Sequence, residues 1–408
     1  MVFNRRGKSA EDKTRQCDNW IREYMKYVEY TEPPLAFHKW TAVGSIASAL
    51  QRRVYLRWGM EKIYPNLYIV LLGPAAQTRK STALKIGEDL VKQINIPTIG
   101  QDNSPEAIIR EIKGSCTSFD DGTAVRMQSA MTCFASELAV FLGQQKSDLQ
   151  AYLTDWWDSP DDWKRTTKHQ GTDDITGMCF TLVGAMAPDW IPHVFTPESI
   201  GGGFTSRIVF VPESRKAKII VNPNKCPPPN GRRDKLIHDL TRINDMAGAY
   251  KLSEDAERFY ENWYFNDDTA MQEGKFAVPD RAFHTYCGRR SVVLRKLSMC
   301  LAAAESSVMT IEEHHMDEAL TMMLDVEARM PGIFAMVGRS SHARQMTMIS
   351  TTIKSRGTIK RSQLLGELYQ DITATDLDEV ERILEGMKSI KVSRLTDEND
   401  SSYTWIAP

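Results

Sequence analysis

A lysine followed by two hydroxyl side chains begins a helical pattern directly after an apolar run. The apolar run covers residues 67–72, and residues 73–82 then read GPAAQTRKST. A strand, a short loop and a helix in this order are the usual setting of a phosphate-binding loop, in which backbone N–H groups and the helix N-terminus attract phosphate oxygens. The pattern predicts a nucleotide site, with Lys80 on the β- and γ-phosphates and the Ser81 hydroxyl on Mg²⁺.

This predicted loop departs from the usual pattern G-x-x-x-x-G-K-[ST]. Gly73 precedes Lys80 by one residue more than the pattern allows, and Arg79 replaces the second glycine, although arginine enters left-handed backbone geometry less easily. Either the loop is remodelled by one residue, or the segment is an ordinary strand–turn–helix with a solvated Arg–Lys pair. On the first hypothesis, the nucleotide-binding residues are Gly73, Pro74, Ala75, Ala76, Gln77, Thr78, Arg79, Lys80, Ser81 and Thr82.

Glu137 is the candidate for polarising the water that attacks the γ-phosphate. It follows a predicted apolar strand over residues 130–135. P-loop ATPases use an acid on a neighbouring strand for this role, and usually a further acid to hold Mg²⁺. Ser136 precedes Glu137, so the metal-holding acid is missing or replaced by a hydroxyl and water. The alternative is a solvated glutamate at a strand end.

Two arginines are candidates for stabilising phosphate charge during transfer. Arg207 follows three glycines at the start of a predicted strand, from which it can reach a nucleotide bound by the next subunit. Its alternative is a structural pairing with a carboxylate. Arg289 lies near the start of a helix whose basic residues can swing over the phosphates, or can form only a solvated face.

A basic and aromatic cluster, WKRTTKH, occupies residues 163–169, in a segment whose two β-prone pieces around Gly171 predict a hairpin. On the tip of a hairpin, Lys164, Arg165 and Lys168 are positioned to contact nucleic-acid phosphates. A solvated loop is the alternative.

The bulk composition limits the classes of function. The length of 408 residues predicts several domains, and the net charge of −2 confines any nucleic-acid site to a local basic patch.

The seven scattered cysteines include no CxxC pair, so we expect neither a zinc site nor a disulfide framework. The apolar runs are shorter than a membrane span, and the N-terminus lacks the apolar core of a signal peptide. We expect a chain without membrane contact in a reducing cytoplasm.

Strands alternating with helices predict an α/β core with a largely parallel sheet over residues 63–221. Residues 1–62 form a helical segment before it. A proline-rich linker and a helical lid subdomain follow over 222–342. Residues 343–408 show three helices and two short strands, typical of a winged helix. The third of these helices carries more acids than bases, so protein docking is at least as well supported as DNA binding.

These features together resemble the phage and prophage P-loop ATPases, a family of domains of unknown function linked to replicative helicases. The resemblance covers residues 20–335 and rests on FHKW at 37–40, IYPNL before the loop, the loop with its helix, the Ser136–Glu137 strand end, GGGFTSRIVFV at 201–211 and the arginine-rich lid helix. More distantly, the order of parts is similar to that of AAA+ hexameric helicases such as the minichromosome-maintenance proteins. The resemblance implies a AAA+-like ATPase core with a helical lid and a C-terminal winged helix. It matches Arg207 to a trans-acting arginine and Arg289 to the lid sensor.

The function implied is an ATP-dependent DNA helicase or translocase of a phage or prophage replication system, in the cytoplasm of a bacterial host. It would act as a ring oligomer, expected to be a hexamer, with ATP and Mg²⁺ between subunits. The expected partners are DNA, in single-stranded form, and a primase or other replication protein. The alternative is a nucleotide-switched factor that loads a helicase or primase without unwinding DNA itself.

Overall fold

The computed structural model describes residues 14–143, 147–167, 171–195, 199–200, 203–226, 228, 230–333, 341–369, 372–395 and 400–406. The chain forms two compact units, Met1–Phe334 and Ala335–Pro408. None of the described helices combines the length and the apolar character needed to cross a membrane.

A mostly parallel sheet lies at the centre of the first unit. Its main path, with strands numbered in chain order, is β10 (Ile208–Pro212), β3 (Tyr68–Leu72), β9 (Met178–Met186), β6 (Val125–Ala135) and β4 (Thr98–Ile99), all parallel. Strand β5 (Cys116–Asp120) pairs with β6 in the antiparallel sense. Every residue of β3 and β9 is buried, as expected for parallel strands covered on both faces. The predicted α/β class with a largely parallel sheet is confirmed.

The strand register brings three strand ends together at one edge of the sheet. Leu72, the last residue of β3, pairs with Met186 on one side and with Pro212 on the other. Ala135, the last residue of β6, pairs with Gly184 of β9. Because parallel strands all end at the same edge, the segments that follow β3, β6, β9 and β10 lie side by side.

Helices cover the sheet and fill the rest of the first unit. They are α1 (Trp20–Tyr27), α2 (Leu35–Leu50), α3 (Lys80–Gln93), α4 (Pro105–Gly114), α5 (Leu138–Leu142), α6 (Ser147–Trp156), α7 (Ile191–Val194), α8 (Arg232–Asp245), α9 (Glu254–Gln272), α10 (His284–Cys287), α11 (Arg290–Glu305) and α12 (Glu313–Glu327). Ser104 caps α4, because its Oγ accepts a hydrogen bond from the Ala107 N–H at 3.2 Å.

Helix α2 is buried along almost its whole length, against the sheet and against α3, which itself also packs on β9 and β6. Small residues allow this close approach. A Cβ on Gly44 would lie 2.6 Å from Val183 Cγ2 of β9, and a Cβ on Gly87 of α3 would lie 2.5 Å from Thr41 Cγ2 of α2. The helix that carries Lys80 at its first position is therefore held both by the sheet and by α2.

A second sheet joins the beginning of the chain to the region after residue 222. Its order is β12 (Thr310–Ile311), β11 (Gly248–Leu252), β1 (Val54–Trp58) and β2 (Glu61–Ile63), with β1 parallel to β11. The region expected to be a helical lid thus also contains two short strands. The hairpin predicted around residue 171 is present as β7 (Asp162–Thr167) and β8 (Gly171–Thr176).

The second unit has its own core. It contains α13 (Ser341–Arg356), β13 (Thr358–Lys360), α14 (Arg361–Leu368), α15 (Ala374–Gly386), β14 (Ile390–Leu395) and β15 (Asp400–Trp405). The strands form an antiparallel sheet in the order β13-β15-β14, so a third, short strand accompanies the two that the sequence predicts. Its buried cluster is Ile349, Ile353, Ile359, Leu364, Ile372, Leu377, Val380, Leu384, Ile390 and Tyr403.

Candidate functional site

The predicted phosphate loop begins at Gly73, at the carboxyl edge of the central sheet. The Gly73 N–H donates to the Met186 carbonyl of β9 at 3.2 Å. A Cβ on residue 73 would lie 2.6 Å from the backbone oxygen of Glu213 and 2.7 Å from Thr78 Oγ1, so only glycine fits here. The buried Thr78 hydroxyl donates to the Pro74 carbonyl at 3.3 Å, which closes the loop on itself.

Arg79 ends the loop in the left-handed conformation that a glycine would favour. Its φ is 55° and its ψ is 34°, and Ala76 earlier in the loop also has a positive φ of 58°. Such geometry costs a non-glycine residue about 1–2 kcal/mol. The Arg79 side chain leaves the loop on its outer side, where Nε donates to a Glu32 carboxylate oxygen at 3.0 Å.

The Lys80 ammonium lies over the loop rather than in solvent. It donates to the Gly73 carbonyl at 2.5 Å and to the Pro74 carbonyl at 3.1 Å. Burial lowers the pKa of Lys80, and the carboxylate of Glu137 acts in the opposite direction. The register of β3, β9 and β6 places Lys80 and Glu137, which are distant in sequence, at the same end of the sheet, in agreement with this electrostatic interaction.

The other predicted contact residues surround Lys80. Ala75 and Gln77 are exposed, with the Gln77 N–H donating to the Ala75 carbonyl at 2.7 Å. Ser81 is half-buried and Thr82 exposed in the first turn of α3. Donor groups, a cation and a hydroxyl therefore lie at one helix N-terminus, which is the chemistry that favours an oxyanion with a divalent cation.

Gln101 is a site residue that the sequence patterns missed. Its amide oxygen accepts hydrogen bonds from the Ser136 hydroxyl at 3.1 Å and from the Glu137 N–H at 2.9 Å. Gln101 follows β4, and no motif marks it, so only the strand order reveals the contact. It fixes the backbone at Glu137, whose side chain is exposed next to the loop.

Arg207 lies at the amino-terminal end of the parallel strands, whereas Lys80 lies at their carboxyl-terminal end. It immediately precedes β10, whose first residue pairs with Tyr68 at the start of β3. Since β3 has five residues at about 3.3 Å each, the two ends of the strand are about 16 Å apart. Arg207 is 6% exposed and donates to Asp158 at 3.0 Å and to the Gly203 carbonyl at 2.9 Å. The structure therefore contains the alternative, a pairing with a carboxylate, and does not bring Arg207 to the loop of its own chain.

Arg289 lies beside Arg207. Its Nε donates to Ser206 Oγ at 3.2 Å, and the guanidinium carbons of Arg207 and Arg289 lie 5.6 and 5.7 Å from the ring centre of Trp157. Burial and the neighbouring Arg207 charge lower the pKa of Arg289, which Asp158 partly offsets. Arg289 is thus no solvated helix residue, because it belongs to a cation cluster on Trp157.

Lys296 is the third cation of this cluster. Its ammonium lies 4.4 Å from the Trp157 ring centre and donates to the Asn66 side chain at 2.6 Å and to the Trp157 carbonyl at 3.1 Å. Burial lowers the pKa of Lys296 to about 7, whereas these oxygen acceptors and the ring face favour its charged form. The cluster lies against Asn66, directly before the strand that leads to the loop.

The predicted nucleic-acid residues lie on the β7–β8 hairpin. Lys164 is exposed and pairs with Asp174 of the opposite strand at 3.1 Å. Arg165 is mostly buried, pairs with Glu106 at 3.0 Å and lies 5.2 Å from the ring centre of Tyr152. Lys168 lies outside the described residues.

Among the described residues, Glu305, His314 and His315 have ligand atoms within 4.8 Å of one another. The backbone N–H of Glu312 donates to His315 Nδ1 at 2.9 Å, so the proton of the neutral ring lies on Nε2. A metal-bound histidine instead donates from its second nitrogen. The His314 ring pairs with Glu305 at 3.1 Å, which raises the pKa of His314. This arrangement favours an ion-paired cluster over a metal site.

Comparison of the chain with protein-family models and with curated proteins gives no match in either case. The fold and the side-chain geometry therefore carry the functional argument.

Proposed function

We propose that this chain is an ATP-dependent DNA helicase or translocase of a phage or prophage replication system, working as a ring oligomer with ATP between subunits. The observation that carries the proposal is the meeting of Lys80 and Glu137 at the carboxyl edge of a parallel sheet, where Lys80 lies on a glycine-initiated loop at a helix start. A AAA+-like core with a helical lid, a C-terminal winged helix and a hexameric ring are parts of the same proposal.

Each part of the loop has a defined task in this proposal. The loop N–H groups and Lys80 bind the phosphates, after Lys80 exchanges its carbonyl partners for phosphate oxygens. Ser81 would hold Mg²⁺, which supplies charge neutralisation to the phosphates when bound. Glu137 orients and polarises the attacking water, and Gln101 keeps the backbone at Glu137 in position.

Arg207 and Arg289 belong to the neighbouring subunit's site in this proposal. They lie about 16 Å from the edge that carries Lys80, so they cannot assist their own chain's nucleotide. A head-to-tail ring brings opposite edges of adjacent subunits together. Two guanidinium groups lie on Trp157, and Asp158 is the acid that pairs with Arg207 among the described residues, so the cluster keeps positive charge for a γ-phosphate.

The β7–β8 hairpin is the proposed contact with single-stranded DNA. Lys164 carries this proposal, because its side chain is 63% exposed. Arg165 is engaged with Glu106 and acts as a support for the hairpin. Opening and closing of the ATP interface would move the hairpin along the strand.

The second unit is proposed as a winged helix that docks on a protein, such as a primase. Basic residues that could face DNA are engaged within the unit: Arg361 pairs with Asp378 at 2.7 Å, and Arg356 pairs with Glu367 at 2.9 Å. Lys354 lies over Trp405. The cationic groups of these three residues therefore already have partners within the unit.

The decisive test is ATP hydrolysis by Lys80→Ala. DNA-stimulated turnover should fall more than about 100-fold, which corresponds to about 3 kcal/mol in the barrier. Lys92→Ala is the matched control, because Lys92 lies on the same helix and only pairs with Glu88 in solvent. Unaltered turnover in Lys80→Ala would refute the proposal.

The alternative, a nucleotide-switched loader without unwinding activity, is favoured by one observation. Ser136 stands where a metal-holding acid is expected, and its hydroxyl is occupied by Gln101. A forked duplex incubated with the protein and ATP separates the two functions. Strand separation supports the helicase, and ATP binding without separation supports the loader.

A further inference from the structure

A cavity of about 570 Å³ lies on the outer side of α3, next to the loop. This volume is in the range of roughly 300–1,000 Å³ that is typical of small-molecule sites. Arg79 and Thr82 contribute to its wall, so the cavity begins where the phosphate loop ends. The loop and the first turn of α3 thus share Arg79 and Thr82 with the cavity.

The cavity walls are apolar and aromatic over most of their surface. Tyr27 and Tyr30 come from the first helix and the turn that follows it, with ring centres 6.0 Å apart. Ile86 comes from α3, and Ile220 comes from the segment after β10. Tyr30 is partly exposed and lines the cavity, so part of its ring faces the cavity space. Aromatic faces of this kind bind heteroaromatic bases by stacking.

Glu32 ties the walls of the cavity together. Its carboxylate accepts hydrogen bonds from Arg79 Nε at 3.0 Å, from Lys216 Nζ at 2.6 Å and from the Ile220 N–H at 3.0 Å. One carboxylate thus joins the last residue of the loop to the segment after β10. These donors, with the Ile220 N–H foremost, lower the pKa of Glu32 to about 2, so the carboxylate is ionised at neutral pH.

We infer that this cavity binds the heteroaromatic base of the nucleotide, by stacking on Tyr30, and that Glu32 is the residue that positions its walls. The inference rests on the proposed nucleotide site and extends it, because it assigns a subsite for the part of the ligand that the loop does not reach. The inference also gives Arg79 a role in place of the missing glycine. Its left-handed backbone directs the side chain outward, so that the side chain lies between the phosphate site and the base site.

The test compares two ligands by calorimetry, ATP and inorganic tripolyphosphate, on the full chain. Wild-type protein should bind ATP about 5- to 100-fold more tightly than tripolyphosphate, the range expected for stacking of one base. Tyr30→Ala should remove most of that preference while its affinity for tripolyphosphate stays unchanged. Tyr264→Ala is the control, because Tyr264 is an exposed tyrosine on α9 that does not line the cavity.

A second variant keeps the test decisive if Tyr30→Ala does not fold. Ile86→Trp fills the cavity from α3 and should likewise lower the affinity for ATP alone. Glu32→Gln should lower the preference for ATP over tripolyphosphate. A loss of folded protein would instead leave this preference unchanged. Equal affinities of wild-type protein for both ligands, or equal losses in Tyr30→Ala, would overturn the base subsite. Absence of binding of either ligand would instead overturn the nucleotide site, and the subsite with it.

Discussion

Arg79 and Glu32 show how single residues shape the candidate site. Arginine at a left-handed position looks like a defect of the phosphate loop in the sequence. In the structure its backbone has that geometry, and its side chain pairs with a glutamate from the turn between α1 and α2. The loop is therefore coupled to a segment about fifty residues earlier, which no local pattern indicates.

The ionisation of Glu32 predicts a pH-dependent contribution to stability. Its pKa is lowered from 4.5 to about 2, so the contribution is complete above about pH 4.5 and declines as the pH falls towards 2. Glu32→Gln should lower the free energy of unfolding by about 1–2 kcal/mol at pH 7, a modest value because the Arg79 partner is partly exposed.

Chemical denaturation of wild-type protein and Glu32→Gln at pH 7 and pH 3 measures this effect. The difference between the two proteins should shrink at pH 3. Glu88→Gln is the control, because Glu88 pairs only with Lys92 on the same helix. A difference that grows at low pH would contradict the assignment of the ionised carboxylate to the folded state.

At the scale of elements, the long periodic segments could be predicted from sequence and the short ones could not. The apolar strands β3, β6 and β9 and the helix starting at Lys80 follow from hydrophobic pattern and length. Strand β12 has only two residues, too few for a period of two residues to show, and β5 has no buried side chain, so its pattern carries no signal.

The residues of the candidate site also fall into two groups, those that sequence patterns indicate and those that only the tertiary structure reveals. Lys80, Ser81 and Glu137 were predictable because each stands next to a strong strand or helix signal. Gln101 was not, because its role depends on β4 lying beside β6. The position of Arg207 and Arg289 on Trp157 likewise depends on tertiary contacts between segments far apart in sequence.

The packing of α3 on α2 leads to a prediction for Gly87. A Cβ there would lie 2.5 Å from Thr41 Cγ2 and 2.8 Å from Ser45 Oγ. Overpacking should therefore outweigh the gain in helix propensity, and Gly87→Ala should lower the free energy of unfolding by about 1–2 kcal/mol. Urea denaturation measures it.

Gly114→Ala is the matched control for Gly87. Gly114 is the exposed last residue of α4, and a Cβ there meets no atom within 4 Å. This variant should be neutral or more stable, by up to about 1 kcal/mol. If Gly87→Ala were as stable as Gly114→Ala, the close contact between α2 and α3 would not hold Lys80 in place.

At the scale of the whole molecule, the sheet separates two sets of charged groups. One edge carries Lys80 and Glu137, and the other carries Arg207 and Arg289. Within one chain, the described contacts of the second set are with Gly203, Asp158, Ser206 and Trp157. In the proposed ring, these arginines would also serve the nucleotide of the next subunit.

This division predicts that two inactive variants restore activity when mixed. Lys80→Ala lacks the phosphate lysine but keeps Arg207, and Arg207→Ala has the reverse defect. In an equimolar mixture, about a quarter of the head-to-tail interfaces combine an intact Lys80 with an intact Arg207. ATPase activity should therefore rise clearly above the sum of the separate variants.

The control is Lys80→Ala mixed with the double variant Lys80→Ala/Arg207→Ala. This mixture has no intact Lys80 and should stay inactive. Because Arg207→Ala removes the ion pair with Asp158, thermal unfolding must first show that this variant is folded. Arg289→Ala can replace Arg207→Ala in the same mixing experiment. In mixtures whose subunits have been shown to exchange, absence of recovery with both arginine variants would mean that these side chains serve only the fold of their own chain.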